Sequence, residues 1–119
     1  MQPVVLDKAI AFATRITRAH SWLVDEKNEK RMSDQLYRSG TAIQALISEA
    51  QYAQSTADFI NKMQIALKEA NESRSWIIVL HNTGYFDDNI FNSIYDDINQ
   101  LVMIISAIVR TTKRNNGLL

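Results

Sequence analysis

With 119 residues, the chain has room for one hydrophobic core but not for two. Hydrophobic residues at 46% and charged residues at 22% are ordinary for a globular protein and argue against disorder. Thirteen basic residues balance thirteen acidic ones, so the monomer lacks the overall basic excess typical of dedicated nucleic-acid binders.

One proline and three glycines leave little material for hairpins, which points to an all-helical fold. Without cysteine there is no disulfide framework, thiol nucleophile or thiolate metal site. The first residues, MQPVVLDKAI, do not read as a signal peptide, and apolar runs such as 101–105 are far too short to span a bilayer. The expected location is cytoplasmic.

The first helix is expected over about 3–24. Pro3 suits its first turn, where the missing N–H has no intrahelical partner anyway. Leu6, Ala13, Ile16, His20 and Leu23 fall on one stripe, with Ile10 and Phe12 beside it. The polar run DEKNEK at 25–30 then breaks the periodicity.

The second helix is expected over about 31–52. Met32, Leu36, Ser39, Ile43, Leu46 and Ala50 step by four and three, the spacing of a bundle seam. Ser39, Gly40 and Ala42 thin its middle. Glycine is about 1 kcal/mol worse than alanine inside an exposed helix, so Gly40 implies a close neighbour.

The third helix is expected over about 56–82. Ser55 and Thr56 form a plausible cap, and Asp58 places negative charge in the first turn. Phe59, Met63, Ala66, Ala70, Ser73, Ile77 and Leu80 make one stripe; Ile60, Leu67, Arg74 and Ile78 make a second. Thr83-Gly84 is a stop signal.

The fourth helix, about 88–112, begins at a cap from Asp87 or Asp88. Phe91, Ile94, Ile98, Leu101, Ile105 and Ile108 keep the three-four rhythm, and Val102, Met103, Ile104 and Val109 widen the apolar surface. Four antiparallel helices with short connections give an up-down-up-down four-helix bundle in a single domain, 1–119.

Three blocks carry a resemblance: QLYRSGTAI at 35–43, DFINKMQIALKEA at 58–70, and Glu72, Arg74 and Trp76 leading to TGYF at 83–86. Together they resemble the small bacterial four-helix-bundle proteins of the ribosomal-RNA intervening-sequence family, over nearly the whole chain. The resemblance implies a ring-shaped pentamer with no enzymatic activity. Its relatives include the accessory variability determinant proteins of diversity-generating retroelements, similar bundles that bind nucleic acid and a reverse transcriptase. One departure stands out. The family pattern resembles S-I-x-A-N-I-x-E, whereas Ala42 and Leu46 take the places of its serine and asparagine; Glu49 remains.

Glu49, Glu69, Glu72 and Arg74 are the polar residues most worth naming. Their alternatives are a ligand-binding cluster and an internal salt-bridge network that fixes helix register; the network is the simpler. Arg74 on an apolar stripe calls for a carboxylate partner, because burying an unpaired charge is expensive. A di-metal carboxylate site needs a glutamate three residues before a histidine. Thr17 precedes His20 and Ile78 precedes His81 at that spacing, so no metal or other cofactor is expected. No phosphate-cradling glycine loop or G-x-S-x-G nucleophile motif occurs, and no catalytic residue is assigned.

Two basic groups are candidate nucleic-acid contacts. Arg15, Arg18, Lys27, Lys30 and Arg31 lie on or after the first helix, and Arg110, Lys113 and Arg114 lie at the end of the fourth. Solvated surface and charge at a helix C-terminus are the ordinary alternative. Surplus apolar surface on a soluble protein usually marks an interface, a broad stripe that simply fills the core being the competing explanation. The candidate interface residues are Trp22, Tyr52, Trp76, Val102, Met103, Ile104 and Val109. A homo-oligomeric scaffold or interaction module is the expected function, its partners being itself, an RNA or another protein. Basic patches repeated around a ring form the alternative.

Overall fold

The structure, a computed structural model, describes residues 2–119. Its elements are α1 (Val4–Lys27), α2 (Arg31–Ala50), α3 (Thr56–Asn82) and α4 (Asp88–Asn115), with no strand among the described residues. They form an antiparallel up-down-up-down bundle measuring 48 × 24 × 22 Å.

Helix boundaries follow local chemistry. α1 runs three residues past its expected end, into the polar run at 25–30. It closes where Asn28 turns left-handed at φ 54° and Glu29 N–H donates to Leu23 O at 2.9 Å. α2 stops at Ala50, two residues early, because Gln51 and Tyr52 enter a turn. Ser55 Oγ accepts from Asp58 N at 3.0 Å to cap α3, and Asp87 Oδ1 accepts from Ile90 N at 2.8 Å to cap α4. At the end of α3, Gly84 takes φ 87°, and Tyr85 N–H returns to Leu80 O at 2.9 Å. α4 continues three residues beyond expectation, to Asn115.

Each helix packs chiefly on its neighbours in the chain. α2 and α4 are diagonal corners with no close backbone approach, and α1 meets α4 only lightly. The core contains Ile16, Leu23, Leu36, Ile43, Ile47, Met63, Ile77, Leu80, Ile94, Ile98, Leu101 and Ile105, all fully buried. Burying one such aliphatic side chain is worth about 1.5–3 kcal/mol, so the interdigitated stripes dominate the stability. Ile10 departs from its expected place: it is exposed, on the outer side of α1.

The thin middle of α2 has its packing reason in α1. A Cβ on Gly40 would come within 3.0 Å of Ile16 Cγ2 and 3.1 Å of Cγ1. On the other side, the buried Ser73 hydroxyl donates to Ser39 Oγ at 2.8 Å, and Ser39 donates to Leu36 O at 3.3 Å. Small residues thus let α2 approach both neighbours. Phe86, in the connection at 83–87, is fully buried beneath Trp22, with ring centroids 6.5 Å apart. This loop aromatic closes one end of the core.

Candidate functional site

The polar centre of the molecule lies between α2 and α3, and Arg38 organises it. Arg38 Nη1 donates to Glu69 Oε2 at 2.9 Å, and Nη2 donates to Glu72 Oε2. Glu69 is buried, whereas half of the Arg38 side chain is exposed. The Arg38 hydrogen bond holds the Glu72 carboxyl below its ordinary range; in return Glu72, then Glu69, raise the Arg38 guanidinium. This is an inter-helix clamp that fixes register.

The four residues grouped from the sequence do not all meet. Glu49 lies apart, 3.9 Å from Lys62. Arg74 faces α4 and has no carboxylate partner among the described residues; it donates to Asn99 Oδ1 at 3.1 Å and Asn71 Oδ1 at 2.7 Å. Because Arg74 is only half-buried, two amide oxygens suffice for it. Arg38 was missed because its partners are 31 and 34 residues away, and which faces meet depends on bundle rotation.

Glu29 was also missed. Buried just before α2, its Oε1 accepts from Met32 N and Ser33 N, both at 2.8 Å, and from Ser33 Oγ at 3.0 Å. It therefore supplies the cap that Lys30 does not. A carboxylate four residues before Ser33 was the available signal.

Both histidines tie consecutive helices together near the same end of the bundle. His20 Nε2 lies 2.7 Å from Asp34 Oδ1, joining α1 to α2, and Lys30 Nζ donates to Asp34 Oδ2 at 2.6 Å. These hydrogen bonds, His20's first, lower the Asp34 carboxyl from its ordinary range. His81 Nε2 lies 2.8 Å from Asp88 Oδ1, joining α3 to α4, and its ring stacks on Phe91 at 4.0 Å. No group of three or more potential metal ligands occurs among the described residues.

The basic candidates divide between the two ends. Arg15 is engaged: Nη1 donates to Asp97 Oδ2 at 2.8 Å across the α1–α4 edge, where Lys8 also donates to Gln100 at 2.9 Å. Lys8, Ala11, Phe12, Asp97 and Gln100 border a shallow cleft of about 160 Å³. Lys30 is held by Asp34, and Lys27 lies 5.2 Å from the centroid of the Trp22 ring. Arg18, Arg31, Arg110, Lys113 and Arg114 make no ion pair among the described residues. Arg110, Lys113 and Arg114 lie toward the end of the bundle that carries the 51–55 turn; Arg31 and Lys27 lie at the other.

The apolar candidates separate by burial. Val109 is a correction: at 8% exposure it faces the core and is unavailable to a partner. Trp22, Trp76, Val102 and Ile104 are half-buried against that core. Met103 is 71% exposed and Tyr52 is 86% exposed. Met103 lies in the middle of 98–109, a stretch of α4 with no charged residue. Among the described residues no helix is long and apolar enough to cross a membrane.

This helix order and length match a known family. The sequence profile described as 23S rRNA-intervening sequence protein matches residues 2–107. The chain belongs to this family. A crystal structure of a protein with unknown function from the S23 ribosomal protein family of Bacteroides thetaiotaomicron VPI-5482 is 46% identical. The match covers 89% of this chain and 98% of that one, with a TM-score of 0.88. No curated protein matches the chain. The chain is thus similar to that neighbour in both sequence and fold.

Proposed function

We propose that this intervening-sequence protein is a non-enzymatic, self-assembling helical module that acts as a scaffold, with five copies in the ring implied by the family resemblance. The observation that carries this reading is Met103: it stands 71% exposed within twelve uncharged residues on the longest helix. Burying that surface against another copy removes apolar area from water. The polar clusters support a structural role, since their charges join helix to helix. Native mass spectrometry of protein purified without nuclease tests the proposal. The expected species is a discrete multimer near five subunits; a monomer at micromolar concentration refutes it.

A second reading is nucleic-acid association, favoured by Arg110, Lys113 and Arg114, which have no carboxylate partner among the described residues, near the end carrying exposed Tyr52. Phosphate neutralisation by this group gives binding that weakens steeply with salt, and an aromatic ring provides a stacking surface. The expected signature is extra mass on the multimer that nuclease removes. Charge reversal at Arg110 should then weaken binding. Unchanged binding would refute the patch.

A further inference from the structure

The chain contains nine asparagines, and the residue after each decides how readily its side-chain amide is lost. The asparagine Cγ lies within reach of the next backbone nitrogen. Glycine in that next position leaves the nitrogen unshielded and the backbone free to rotate toward Cγ. Glycine follows a single asparagine, Asn116. Seven of the others lie inside α3 and α4, where helical geometry holds the following nitrogen away from the side chain. Asn28 lies outside a helix, but the N–H of the buried Glu29 after it is fastened to Leu23 O at 2.9 Å.

Asn116 and Gly117 stand just past the end of α4. Asn116 N–H donates to Lys113 O and Gly117 N–H to Arg114 O, both at 3.2 Å, the long end of the usual range. Leu118 N–H returns to Lys113 O at 2.8 Å, and Asn116 Nδ2 donates to Thr112 O at 2.7 Å. No buried side chain reinforces these bonds, because every residue from 114 to 119 is exposed. Such helix ends open at almost no cost. Lys113 and Arg114, which make no ion pair among the described residues, add positive charge to the same turn. Nearby positive charge favours an anionic nitrogen and the oxyanion it forms on attack.

We propose that Asn116 is a site of spontaneous modification, losing its amide faster than any other asparagine of the folded chain. When the last turn opens, the Gly117 nitrogen gives its proton to hydroxide and attacks Asn116 Cγ. The Cγ–Nδ2 bond breaks, ammonia leaves and a five-membered succinimide closes. Water then adds to one ring carbonyl and breaks that carbon's bond to the ring nitrogen. Opening at Cγ gives aspartate; opening at the backbone carbonyl gives isoaspartate, with the chain routed through Cβ. Amide and water become carboxylate and ammonium, with no oxidant or enzyme. The product puts negative charge at the C-terminus of α4, against the helix dipole, and removes the donor to Thr112 O. It also lies beside Arg110, Lys113 and Arg114, and offsets one of their three charges.

Incubation of the intact chain at mildly alkaline pH, followed by peptide mapping with mass spectrometry, tests the proposal. The amide-to-acid mass gain should appear first at Asn116, ahead of every other asparagine by roughly tenfold or more in rate, equivalent to about 1.4 kcal/mol or more in local opening. Asn116→Gln, which would need a larger ring, should silence that gain with helicity unchanged. Isoaspartate should accompany aspartate at the site, and aspartate alone would overturn the succinimide route. A first gain at Asn115 or any other asparagine overturns the proposal. So does an unmodified Asn116 over a period in which the urea-unfolded chain converts there, since the end of α4 would then be closed.

Discussion

Replacing Gly40 by alanine sets two effects of similar size against each other, and the structure says which wins. In the α2 interior, alanine gains about 1 kcal/mol of helix propensity over glycine. The new methyl group, however, would stand 3.0 and 3.1 Å from the two γ carbons of Ile16. Ile16 is completely buried, and β-branched side chains in helices are nearly confined to one rotamer, so it has little freedom to retreat. Overpacking of this kind costs about 1–3 kcal/mol, giving a net destabilisation of about 0–2 kcal/mol for Gly40→Ala. The sharper expectation concerns coupling. In an Ile16→Ala background, itself destabilised by about 2–5 kcal/mol, the clash is gone. Gly40→Ala should then stabilise the protein by up to about 1 kcal/mol. A double-mutant cycle from urea unfolding should therefore show about 1–3 kcal/mol of interaction between the sites. Additive effects, with Gly40→Ala equally stabilising in both backgrounds, would refute the close-approach argument.

Glu29→Ala should lower stability by about 1–3 kcal/mol, because the part-buried N–H of Met32 and the buried N–H of Ser33 lose their acceptor. Chemical denaturation measures it, and a change below 0.5 kcal/mol would mean that water replaces the carboxylate at no cost. Acid should destabilise the fold through Asp34 and Glu72. Their folded-state carboxyl groups titrate below their ordinary values of 3.8 and 4.5, so their stabilising contribution is present above those values and is lost as pH falls through the lower folded values. Arg38→Met removes the main cause of the Glu72 shift and should flatten part of the stability decline below about pH 4.5. An unchanged acid slope would show that the clamp does not govern it.

The helices were legible because their signals are local. The three-four rhythm of α4, the Ser55 and Asp87 caps and the Gly84 stop each lie within a few residues of what they determine. The close approach at Gly40 could also be anticipated, although its partner could not. Ile10 and Phe12 looked alike beside the α1 stripe, yet only Phe12 is buried, a difference set by where α4 lies. The polar clamp was harder for the same reason. Glu69 and Glu72 stand three residues apart in the sequence, but Arg38 is brought to them by the register of an antiparallel neighbour. Arg74 shows the converse: its apolar stripe suggested a buried charge, while α4 left it open enough for two amides. The fold was thus read from periodicity, whereas cross-helix partners required relative rotation.

The thin edge between α1 and α4 has a consequence for how this bundle forms. Nearly all close backbone contacts join helices consecutive in the chain, across connections of only three to five residues. Little loop entropy is lost before each contact is gained, and topologies dominated by local contacts fold fastest. The chain can therefore assemble as successive helical hairpins, each adding a strip of core to the last. Arg15–Asp97 and Lys8–Gln100, the long-range links between its first and last helices, are made by flexible side chains at a surface edge. They tie an edge where the backbones of α1 and α4 approach each other only lightly.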